Sequence, residues 1–192
     1  DWSQKAPTLD SHTRVQWDSE AYSDVKFSSR LLWLEDAIID ISSIVNPHQQ
    51  QWNWTLHIDG AAMESVGEST TFCDSGPMQY LHQVTAQLLN GVIQCRYQTA
   101  ARPLTLWLAA DATLFQGLAP ANPSVRDISY LILRHHHRES LVTLVFDMNN
   151  LDPLLDVQVD NDGEILSIKL TRQQQVIQVK IPFTDSSLPL FS

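Results

Sequence analysis

Cysteine is almost absent from this 192-residue chain, and the two present, Cys73 and Cys95, can close one disulfide at most. A small fold stapled by several bridges in place of a core is therefore excluded. Lysine is scarce too, with four residues against sixteen glutamines and none between Lys26 and Lys169. Twelve basic residues face 22 acidic ones, for a formal net charge of −10. Such a field repels phosphate backbones and anionic lipid. No local patch overrides it, because Arg134 and Arg138 have Asp127 and Glu139 beside them. Nucleic acid is set aside as a partner. Hydrophobic runs are short: residues 31–34 and 104–110 are the longest read here, far below the roughly 20 residues of a membrane helix. No membrane span is expected. Neither a phosphate-cradling glycine loop, a zinc-spaced cysteine and histidine set nor a nucleophile motif is recognisable, and no segment repeats at solenoid or propeller period.

What remains is the composition of a globular domain, 43% hydrophobic, with six glycines and nine prolines. A lysine-poor acidic surface suits a periplasmic or extracellular protein somewhat better than a cytoplasmic one. It equally suits a subunit whose faces are covered by partners.

Residues 1–28 read as an extended arm, with one short strand around 13–17 and tryptophans that dock on the body. From residue 29 to 45, Leu31, Leu34, Ile38, Ile41 and Val45 recur at three and four, with Ser before them and Pro47 after. That spacing predicts an amphipathic helix. Residues 52–58 alternate and predict a strand. A second helix is expected over 77–95, with Pro77 in its first turn and Met78, Leu81, Val84, Leu88 and Val92 as its buried stripe. Residues 104–110 predict a central strand and 112–123 a crossing loop. Five short runs between 128 and 181 read as a β-meander, in which Asn161-Asp162-Gly163 is a hairpin signal. The fold expected is α+β: two helices packed on one continuous, mostly antiparallel sheet with a C-terminal meander. It occupies residues 29–183, between the arm and a tail at 184–192. The stretch 32–34, Ile38 and Ile41, then 54–60, then a helix near Pro77 resembles in pattern the small periplasmic modules of inner-membrane assembly proteins in type IV pilus and type II secretion systems.

Several residues invite chemistry. His135, His136 and His137 could offer imidazole, but alternate strand residues face opposite ways, so only His135 and His137 can share a metal, with Asp127 or Glu139 to help. A polar hairpin tip explains them as well. Cys73 stands before the second expected helix and could be a thiolate nucleophile with His57 or His82 as base. Asp160 to Gly163 imitates a calcium loop but fails at both terminal ligand positions, Gln158 and Lys169. Asp147, Asp152 and Asp156 could form a carboxylate pair of the kind glycosidases use, but surface acids are expected at this charge. No catalytic residue, metal or cofactor is assigned. The expectation is a non-enzymatic interaction or assembly module, meeting another protein or a second copy of itself. Its contact residues are Val176, Ile177 and Val179 on the last strand, which only Lys180 guards, and Phe183, Leu188, Leu190 and Phe191 in the tail. The alternative is a hydrolase or metal-dependent enzyme using Cys73 or the histidines.

Overall fold

In a computed structural model, which describes residues 2–3, 9–16, 23–72, 77–121 and 126–182, the chain is built from strands. These are β1 (Trp2–Ser3), β2 (Leu9–Gln16), β3 (Lys26–Trp33), β4 (Ala37–Val45), β5 (Trp52–Ile58), β6 (Gly60–Ala62), β7 (Glu68–Ser69), β8 (His82–Thr99), β9 (Pro103–Pro120), β10 (Asp127–His135), β11 (Glu139–Asp147), β12 (Asp156–Asn161), β13 (Ile165–Thr171) and β14 (Val176–Pro182). A single 3-10 turn, Pro77–Tyr80, is the only helical element among the described residues.

The α+β expectation is therefore overturned, and both helices are replaced by strands. Residues 29–45 form the β3–β4 hairpin, closed by the Leu34 amide donating to the Ala37 carbonyl at 2.9 Å. β4 is central, between β3 and β11: Ile39 and Ile41 are fully buried on one face, while Ile38, Asp40, Ser42 and Ile44 share the other. The expected stripe took Leu31 from β3, Leu34 from the turn and Ile38, Ile41 and Val45 from β4, and apolar residues of two strands and a turn fit a helical period by accident. Residues 77–95 hold the 3-10 turn and most of β8. Leu88, assigned to the buried stripe, is 63% exposed. The resemblance to secretion and pilus modules rested on those helices and falls with them. The loop expected at 112–123 is largely strand, since β9 runs on to Pro120.

Two sheets replace the one expected. A smaller sheet has the order β1-β14-β13-β12, the last three strands forming an antiparallel meander. The larger runs β2-β3-β4-β11-β9-β10-β5, with β8 on the other edge of β9 and β6 and β7 outside β8. β10 and β11 do not pair with each other as a meander would. They lie end to end on one edge of β9, β11 against Thr105 to Ala110 and β10 against Thr113 to Pro120.

The β8–β9 ribbon folds back on itself. Tyr97 pairs with Leu104, and Thr85 with Gln116, so an unbent ribbon would hold the two pairs about 40 Å apart. Yet Gln116 Nε2 donates to the Tyr97 hydroxyl at 3.0 Å. Ser129, opposite Leu118, likewise donates to the Gly60 carbonyl at 2.6 Å, and Gly60 pairs with Thr99. Tip and open end of the hairpin thus meet. The bend falls where Gly91 takes a φ of 114° and where β10 gives way to β11. Only glycine adopts that φ without strain.

Three layers result. Leu106, Leu108, Leu131, Leu133 and Leu144 fill the space inside the fold-back. The meander covers the opposite face of β3, β4 and β11, where Ile39, Ile41 and Val145 meet Leu166, Ile168, Ile177 and Ile181. A buried ion pair ties the meander down. Arg172, between β13 and β14, donates to Asp147 Oδ1 at 2.9 Å, both side chains being 2% exposed. The same guanidinium donates to the main-chain oxygens of Asp36, at 3.0 Å, and Asp152. Asp147 in turn accepts from the amides of Asn149 and Leu154.

Candidate functional site

Strand edges come first, because the expected contact residues lie on one. β14 is flanked by β13 and, over Val176 and Ile177 alone, by β1 in parallel. Its rim from Gln178 to Pro182 has no strand beside it among the described residues. The side chains of Ile177 and Val179 point into the core under the meander, leaving the β14 backbone as what a partner could meet. Val176 is half-buried. Phe183, Leu188, Leu190 and Phe191 lie outside the described residues.

A broader surface belongs to the large sheet. β2, expected as a short strand around 13–17 in an extended arm, is the outermost strand of the large sheet, paired with β3 along its whole length. Cross-strand registers place four rows on one face: Leu9, Trp33, Ile38 and Phe146; Ser11, Leu31, Asp40 and Leu144; Thr13, Ser29, Ser42 and Val142; Val15, Phe27, Ile44 and Ser140. The inner ends of these rows lie beneath the folded layer. Toward β2 the cover stops, and Leu9, Trp33 and Val15 are 50%, 44% and 38% exposed. Asp40 stands in the middle of the face. Burial raises its pKa, while the hydroxyls of Ser29, at 3.2 Å, and Ser42, at 3.4 Å, hold the carboxylate and partly offset that. The sequence hides this surface because the helical reading assigned Leu31 and Ile38 inward.

The catalytic alternatives are dispersed. His135 is fully buried and stacked on Trp52, with ring centres 4.1 Å apart and planes within 6°. Neither ring nitrogen has a partner in good hydrogen-bond geometry. Desolvation lowers its pKa to about 4, with the nearby main chain of Asp111 working the other way. His136 and His137 are exposed, and His137 Nε2 lies 3.4 Å from Asp111 Oδ2. Asp127 is engaged with His82 at 3.1 Å. Among the described residues no group of three His, Cys, Asp or Glu is arranged to hold a metal. Cys73 lies outside the described residues. Cys95 is a free thiol buried in β8, its pKa pushed up to about 11 by desolvation. Asp162 Oδ1 accepts from the amides of Glu164 and Ile165, which lowers its pKa and closes the hairpin. That carboxylate serves the turn. Asp147 is committed to Arg172. No helix among the described residues is long and apolar enough to cross a membrane.

No protein-family model matches the sequence, and neither does any curated protein. Among solved structures, a heparinase III is similar with a TM-score of 0.46 at 8% identity, over 85% of this chain and 25% of that one. This chain thus spans about a quarter of that protein's length. A likeness at this level decides neither fold nor activity.

Proposed function

We propose that the chain is a non-enzymatic assembly module that meets another protein through the open end of its large sheet. One observation carries the reading: the β2–β3 face runs past the edge of its cover, leaving Leu9, Trp33 and Val15 exposed around Ser11 and Thr13. A sheet face bordered by a strand whose outer edge has no partner among the described residues is what partners cover. Its mixed rows of Leu, Val, Ser and Thr fit a partner strand or sheet, with main-chain bonds to β2 and side chains meeting across the face. The rim of β14 from Gln178 to Pro182, unpaired among the described residues, is a second contact of the same kind.

The test is copurification from native extract with wild-type chain and with Leu9→Asp/Val15→Asp. It is followed by sedimentation velocity of the recovered complex and circular dichroism of the free proteins. A stoichiometric protein partner, or a second copy, lost from a folded double variant supports the proposal. A partner held equally by the double variant overturns it, as does a wild-type chain that captures nothing and sediments as a monomer.

A further inference from the structure

Hydrogen-bond parity across β2, β3 and β4 fixes which main-chain groups β2 turns outward. The Leu34 amide donates to the Ala37 carbonyl, so that pair bonds across the hairpin, and with the register the even-numbered residues of β3 face β4. Bonded and non-bonded pairs alternate along an antiparallel ladder. The odd-numbered residues of β3 therefore bond to β2, through Leu9, Ser11, Thr13 and Val15. Asp10, His12 and Arg14 turn their N–H and C=O groups to the outer edge, which pairs with no strand among the described residues.

Read along that edge, the sequence is its own complement. A second, antiparallel β2 related by a twofold axis through His12 sets Asp10 opposite Arg14, Leu9 opposite Val15 and Ser11 opposite Thr13, on both sides of the axis. Asp10, His12 and Arg14 then each exchange both main-chain bonds with the residue opposite. Across the junction one row reads Phe27 and Val15, then Leu9 and Trp33 of the second copy, so the exposed apolar residues come together. The neighbouring registers that keep the faces matched set Val15 against Ser11 or Leu9 against Thr13, and take Asp10 away from Arg14.

We infer that β2 pairs antiparallel with β2 of a second copy of this chain, about a twofold axis at His12, joining the two large sheets into one. A second copy is one occupant of the interface already proposed for this end, and the choice rests on that reading. Charges on an edge strand ordinarily block strand addition. Here an acid and a base stand equally far from His12 on either side, so the same charges disfavour a strand of unrelated sequence and match their own. Within the chain Asp10 receives Arg30 Nε at 2.9 Å and Nη2 at 2.6 Å. That pair fixes the carboxylate on the face opposite Leu9, where the register brings the second copy's Arg14. The β14 rim lacks this symmetry, with Lys180 and no acid between Gln178 and Pro182.

The test is sedimentation velocity of the full chain at about 100 µM, where a micromolar Kd leaves most chains paired. Wild type is expected to sediment as a dimer. Asp10→Arg alone and Arg14→Asp alone set like charges opposite each other on both sides of the axis, and each is expected to weaken the dimer about tenfold or more. Mixed in equal amounts, the two variants again oppose unlike charges and are expected to pair as wild type does, which also shows both to be folded. His12→Pro removes an outward N–H that β3 does not use, and is expected to be monomeric with the circular dichroism of wild type. A monomeric wild type overturns the second copy as occupant. If that monomer still captures another protein, lost with Leu9→Asp/Val15→Asp, the interface stands without this occupant. A dimer that survives the charge variants and His12→Pro, or folded single variants that fail to pair when mixed, overturns it equally.

Discussion

Replacing Arg172 with Met removes a charge that three separate turns share. In the native chain the guanidinium holds the Asp147 carboxylate at 2.9 Å and caps the main-chain oxygens of Asp36 and Asp152. All of these contacts fall away together. Asp147 retains the amides of Asn149 and Leu154, so it stays buried and charged with no counter-ion. Breaking a buried pair from one side costs about 3–5 kcal/mol, because the stranded charge has lost both water and partner. For a chain of this length that corresponds to a fall of roughly 6–20 °C in Tm. Urea unfolding of wild type and Arg172→Met measures it directly. The loss is expected to be uneven, since the pair anchors the meander: amides of β13 and β14 are expected to exchange faster than those of β9 and β10. A destabilisation below about 1 kcal/mol, the scale of a surface ion pair, would refute the reasoning. So would uniform loss of protection across both sheets.

The buried His135 makes stability pH-dependent. With a folded pKa near 4 against about 6.5 unfolded, the unfolded chain binds the extra proton between those values. The histidine's contribution is therefore intact above pH 6.5 and is lost as pH falls to about 4, by up to roughly 3 kcal/mol. His135→Phe, which keeps a ring against Trp52, is expected to flatten that part of the urea-midpoint profile, and an unchanged slope would count against it. Cys95 is expected to resist a thiol-disulfide reagent at pH 8 in native buffer and to react fully in denaturant, because its buried thiol titrates near 11. Fast native reaction at Cys95, followed by peptide mapping, would contradict this. Gly91→Ala places its Cβ in open space, so its cost of about 1–2 kcal/mol is backbone strain at positive φ alone. Thermal unfolding checks it, and no loss would mean the bend tolerates other dihedrals.

Local chemistry made some of this architecture legible and concealed the rest. The Asn161 to Gly163 turn sits where its residues direct, with Gly163 at a φ of 88°, and β5 and the strands of the meander follow their alternating or β-branched runs. β4 failed for the opposite reason. Ile38, Ile39, Ile41, Ile44 and Val45 are a β-branched series that favours strand, but with Leu31 and Leu34 from the preceding strand and turn they also fit a spacing of three and four. β8 failed because it is 18 residues long and bent. His82 and Thr85 are separated by a bulge, and the fold-back exposes Leu88 while burying Leu89 and Cys95. No single period survives such a course. The candidate surfaces were the least legible. The β2–β3 face depends on which strands lie beneath the folded layer. The Arg172 and Asp147 pair spans 25 residues, with nothing nearby in the chain to announce it.

The folded ribbon also decides how this molecule would carry mechanical load. In a straight hairpin, force applied between one end and the tip shears the whole ladder at once. Here Thr99 at the tip and Leu118 at the open end are joined through Gly60 and Ser129. Tension between them must first straighten the bend, prising one layer from the other and wetting the leucines between, before the ladder bonds along the ribbon bear the pull. The first barrier to extension is then hydrophobic and distributed, with a long, compliant approach to rupture.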